Sequence, residues 1–69
     1  MKITYFPDTD TALIEFVDRT VAETREISED IYVDMDGDGR LVSMTIEHAK
    51  TSARIKELSF QEVTDTTAA

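Results

Sequence analysis

IYVDMDGDGRLVSMTIE, residues 31–47, decides the fold. Ile31, Val33 and Met35 alternate with Tyr32, Asp34 and Asp36, and after the break Val42, Met44 and Ile46 alternate with Leu41, Ser43, Thr45 and Glu47. A period of two places successive side chains on opposite faces of an extended chain, so both runs read as strands. Asp36, Gly37, Asp38 and Gly39 lie between them and supply residues that tolerate positive φ, which makes them structural turn residues of a hairpin.

Upstream, Lys2 to Phe6 alternates in the same way, and Pro7-Asp8-Thr9-Asp10 interrupts it with turn chemistry. A return strand is expected over 12–18. Both of its faces are partly apolar, with Ala12, Ile14 and Phe16 against Leu13 and Val17, which suits a strand inside the sheet. Asp18-Arg19 reads as a turn. TVAETREI, residues 20–27, is rich in β-formers yet too charged for burial on both faces and is expected near a sheet edge. Ser28-Glu29-Asp30 resembles a helix cap, but period two resumes at once and a strand follows.

Downstream the texture changes. HAKTSARIKELS, residues 48–59, carries Ala49, Ala53 and Ile55 or Leu58 at roughly helical spacing, with Thr51 or Ser52 as candidate N-caps. A short helix is expected over this stretch, the competing possibility for 49–63 being one more strand through Leu58, Phe60 and Glu62. Residues 64–69, TDTTAA, offer nothing to bury and are expected to be a disordered tail beyond a single domain over 1–63. The expected fold class is mainly β (α+β): a small antiparallel β-meander of four to five strands with a short C-terminal helix.

Sixty-nine residues hold one core, which in so small a domain is marginal without a supplement. There is no cysteine for a disulfide or thiolate chemistry, which leaves oligomerisation as the supplement. Residues Leu13, Val17, Tyr32 and Leu41 fall on the face opposite the main apolar set, and one short helix cannot cover both faces. A homodimer is expected on that ground. The formal net charge of −8 argues against nucleic acid and against anionic membranes, both of which demand clustered Lys and Arg. MKITYF enters strand alternation directly, with no apolar leader, and a cytoplasmic protein is expected.

The candidate sites are few. Asp34-Met35-Asp36-Gly37-Asp38-Gly39 has the opening of a calcium loop, but the position that needs a bidentate Glu is Thr45, and the flanks are strands rather than helices. A hairpin turn, binding cations at most weakly, is the better account, and no cofactor is expected. His48 is the one imidazole, at the boundary between the last strand and the expected helix, with neither a second His nor a Cys beside it. Ser43, Ser52 and Ser59 lie in no nucleophile-elbow context, and no enzyme is expected. Glu23, Glu26, Glu29 and Asp30 form a run of acids that either guards a sheet edge or steers a basic partner protein. A non-enzymatic protein-interaction module is the expected function, with a small-ligand or weak cation-binding module as the alternative.

Two segments, KITYFPDTDTALIEF and VAETREISEDIYVDMDGDGRLVSMTIEHA, resemble the small bacterial family known as domain of unknown function 2283. Its members open with a similar hairpin, carry a V-x-x-T-x-E strand and continue with an acidic V-D-x-D-x-x-G-x-V hairpin. The likeness covers about residues 1–50. Phe6 departs from an Asp-like position and Ser43 from a usual Gly, and the C-terminus is extended. The resemblance implies a compact β-meander with a short helix and no assigned activity. From relatives beside small toxin-like ribonuclease genes it also implies an antitoxin-like role as partner of a basic nuclease.

Overall fold

A computed structural model describes residues 1–64 as a five-stranded antiparallel sheet followed by one helical turn. The strands are β1 (Lys2–Phe6), β2 (Thr11–Glu15), β3 (Glu23–Ser28), β4 (Ile31–Met35) and β5 (Leu41–Glu47), and the helix is α1 (Ala49–Ser52). A 3-10 turn covers Ile55–Glu57. The mainly β antiparallel class expected from the alternation is the observed one.

The strand order is β1-β2-β5-β4-β3, so the chain does not run as a sequential meander. β3, β4 and β5 form a run of hairpins that returns to lie beside β2, an order of the Greek-key kind. The central position belongs to β5, which supplies Val42, Ser43 and Ile46 to the small set of buried residues. β2 is internal, as its two-sided apolarity requires, and β3 takes the outer edge with all six residues exposed.

Residues directly opposite in an antiparallel ladder share a face. The register therefore groups Ile3, Ile14, Met44 and Val33 in one row, and Tyr5, Ala12, Ile46 and Ile31 in the next, on a single apolar face. The other face carries Lys2, Glu15, Ser43, Asp34 and Thr24 in one row, and Thr4, Leu13, Thr45, Tyr32 and Glu26 in its neighbour. Ala49 of α1 packs on Ala12 and Ile46, with Tyr5, Ile14, Met44 and Ile55 around them. Among the described residues no large side chain is fully buried, so the core is small and mostly aliphatic.

Several boundaries differ from expectation for local reasons. The strand expected over 12–18 spans Thr11–Glu15, because beyond it the amides of Phe16 and Val17 both turn to the Val42 carbonyl. The strand expected over 20–27 begins only at Glu23, since residues 16–22 are used to carry the chain past the ends of β5 and β4 to the far edge. That crossing spans three strand spacings, about 14 Å. It is pinned by Ala22 donating to the Met35 carbonyl and by Arg19 reaching Asp36 at 3.2 Å. The helix expected over 48–59 is a single turn: Arg54 at φ 47° breaks it before the 3-10 turn. No strand follows at Leu58–Glu62. Neither Thr51 nor Ser52 is the N-cap. His48 holds that position, and Ser52 donates its hydroxyl back to the carbonyls of Glu47 and His48. The tail expected over 64–69 lies, apart from Thr64, outside the described residues.

In the β4–β5 turn the Asp36 carboxylate accepts the amides of Asp38 and Arg40, both at 2.9 Å, and Gly39 takes φ 79°. Gly37 has an unstrained φ and open space around it. Replacing Gly39 by Ala should therefore lower stability by about 1–2 kcal/mol, the cost of a Cβ in the left-handed region. Gly37→Ala should be close to neutral. Urea unfolding of the two variants checks this, and equal losses would show that the turn is not held as described.

Candidate functional site

The acids singled out in the sequence are placed around one margin of the sheet rather than on one surface. Glu23 and Glu26 belong to β3 and pair opposite Met35 and Tyr32, which puts them on the apolar and the polar face respectively. Glu29 and Asp30 form the turn into β4. Glu23 accepts Arg25 Nε at 2.6 Å, a pair on the solvent surface that raises the guanidinium pKa further through the hydrogen bond and the charge. Asp30 is taken by His48. Among the described residues, Glu26 and Glu29 carry no ion pair. What this margin offers is a strand with one unpaired side, flanked above, below and at its end by carboxylates.

The second grouping was not legible in the sequence. Asp10, at φ 55° in the β1–β2 turn, accepts the Tyr5 hydroxyl at 2.7 Å and the Lys50 amide at 3.1 Å on the same Oδ1. Its carbonyl accepts the Ala49 amide at 2.9 Å. Two of the amides that a helix start leaves unpaired are thus satisfied from a hairpin 40 residues upstream. Beside it His48, at φ 52°, places Nδ1 2.9 Å from Asp30, while the Asp30 carbonyl accepts the Glu47 amide. Lys56 lies 6.0 Å from the Tyr5 ring centre. Chemically this corner is a set of turn carboxylates locking the chain after β5 onto the β1–β2 and β3–β4 turns. The one local signal for Asp10 was its residue type in a turn. Its partners Ala49 and Lys50 are too remote in sequence to be inferred.

The remaining candidates are structurally committed. Asp34 accepts the hydroxyls of Thr24 at 2.6 Å and Ser43 at 2.7 Å, which satisfies the buried Ser43 where the resembled family usually has Gly. Asp36 is used by its own turn, whose amides, Arg40 first, hold its carboxyl below the ordinary range. Among the described residues no three Asp, Glu or His side chains converge to hold a metal ion. An open concavity of about 430 Å³ at the far end of the sheet is lined by Lys2, Glu15, Phe16, Val17 and Arg19. Among the described residues no helix is long and apolar enough to cross a membrane.

The corner fixes a pH dependence. The hydrogen bond to Asp10 pushes the Tyr5 hydroxyl up to about 12 and draws the Asp10 carboxyl below its ordinary value. The hydrogen bond to Asp30 raises His48 above 6.5. A raised His pKa stabilises the fold below 6.5, and that contribution is lost as pH climbs through the raised value. The Asp10 contribution is present above 3.8 and is lost as pH falls through the lowered value. Tyr5 contributes below its ordinary 10.0 and loses that contribution as pH rises toward about 12. Ultraviolet titration should accordingly find a tyrosine ionising near 12. In Asp10→Asn, which keeps an acceptor and tolerates positive φ, that ionisation should move back toward the ordinary value. An unmoved titration would show that Asp10 does not hold the phenol.

No curated protein and no solved structure matches the chain. A family profile does match, over residues 2–50, which takes in all five strands and the start of α1. With the hairpins, the acidic turn and the edge strand in place over that span, the chain belongs to the family described as protein of unknown function (DUF2283).

Proposed function

We propose that the protein is a non-enzymatic protein-interaction module whose edge strand β3 receives a basic partner, in an antitoxin-like role toward a toxin-like nuclease. The observation that carries this is the edge itself: six consecutive exposed residues with one side of the backbone unpaired, bordered by Glu23, Glu26, Glu29 and Asp30. An open edge can accept an extended segment by main-chain pairing, and alternate side chains then set specificity. Carboxylates on both faces of that edge select Lys and Arg in the incoming strand, and the net charge of −8 steers a cationic protein toward it. A groove with which such a partner holds RNA is positively charged, so it is the surface an acidic strand covers. The exposed Glu23–Arg25 pair is no obstacle, because surface pairs of this kind are weak and exchange readily.

Capture from the source cell, with mass spectrometry to identify a basic protein, supplies the partner for kinetics. Association should slow steeply between low and physiological salt. Changing Glu23, Glu26 and Glu29 together to Gln should slow it at low salt by about tenfold, the lower end of electrostatic steering, with the circular dichroism unchanged. Loss of solubility in that variant with unaltered association would instead mark the acids as edge guards, and the proposal would fall.

A further inference from the structure

Two unmet demands for burial occur in the one chain. The first is the apolar face of the sheet. α1 and the 3-10 turn cover Ala12 and Ile46, with Tyr5, Ile14 and Met44 packed around them, while in the neighbouring row Ile3 is exposed and Val33 only half-buried. The second is the segment that follows the 3-10 turn. Leu58 leaves it with extended backbone, and Leu58, Phe60 and Val63 stand 63%, 91% and 79% exposed. An aromatic ring in that position is the largest apolar group the described chain leaves in water.

The surface area sets the scale of what is missing. The chain exposes 5513 Å², against about 4,400 Å² for a folded monomer of 7.8 kDa. The excess, about 1,100 Å², includes the projecting segment itself and is of the order of the roughly 800 Å² that each partner buries in a standard interface. Six extended residues reach about 20 Å, enough to cross the row from β1 to β4, which spans about 14 Å. In a strand Leu58 and Phe60 project to the same side, with Glu62 following them at the end of the segment, so the apolar part of the arm is Leu58 and Phe60. The sheet face it needs is free of charge except at its margin, where Glu23 and Arg25 neutralise each other.

We propose that residues 58–63 of one chain lie across the apolar sheet face of a second copy, reciprocally, in a two-fold dimer. Each copy supplies both the arm and the face, so the contact is self-complementary and closes at two. The arm lies outside β3, but the face it covers ends beside Glu23 and Arg25, so the two contacts are told apart by Phe60→Asp, which leaves every acid of β3 in place. Repulsion between chains of charge −8 makes the dimer tighten as salt rises.

Sedimentation equilibrium of the full chain at high micromolar concentration should give a dimer. Phe60→Asp, at an exposed position, should raise its dissociation constant by about tenfold or more with unchanged circular dichroism. In a mixture of labelled and unlabelled chains, filtered NMR contacts should join the Phe60 ring to the Met44 and Val33 methyls of the other copy. A monomeric parent, a Phe60→Asp dimer as tight as the parent, or contacts confined to one chain would each overturn the proposal.

Discussion

The pairing of β2 with β5 is the contact on which the rest of the molecule depends. It joins Thr11–Glu15 to Ser43–Glu47, about thirty residues apart, and turns two separate hairpin systems into one sheet. Closing so long a loop has an entropic cost that no local turn offsets, so burial at the seam must do so. It does so with Ala12 and Ile46, directly opposite each other, under Ala49. The alanines matter through their size: a small residue on β2 and another on α1 let the helical turn settle onto the sheet. The five-stranded order, the crossing of residues 16–22 and the exposure of β3 all follow from seating β5 in the centre.

The corner around Asp10 completes what the seam begins. A four-residue helix has little intrinsic stability, and its first amides have no partners within the helix. Asp10 supplies acceptors from its side chain and its carbonyl, so the helix exists because the β1–β2 turn stands beside it. His48 and Asp30 fasten the same point to the β3–β4 turn. Three chain reversals are thereby tied together by polar contacts at the one end of the sheet where the apolar face is covered.

The two faces and the edge divide the functional possibilities. The polar face satisfies its own groups, as Asp34 does for Thr24 and Ser43. On the β3 edge the backbone keeps one unpaired side, and on the apolar face Ile3 stays exposed.

The sequence by itself determined the strands around residues 31–47, the Asp-Gly turn, the internal place of β2 and the edge place of β3. Each of these is encoded locally, by period-two alternation or by residues that tolerate a particular φ. It also placed the apolar set on one face, because alternation fixes facing once a strand is assigned. Only the tertiary structure decided that β2 lies beside β5, that Asp10 caps α1, and that the helix stops after one turn. The helical spacing of Ala49, Ala53 and Ile55 extended further than the helix because there is sheet beneath Ala49 and Ile55 but Ala53 is left exposed. Strand order and capping across forty residues depend on which surfaces meet, and that depends on loop entropy and packing volume summed over the whole chain rather than on any stretch of it.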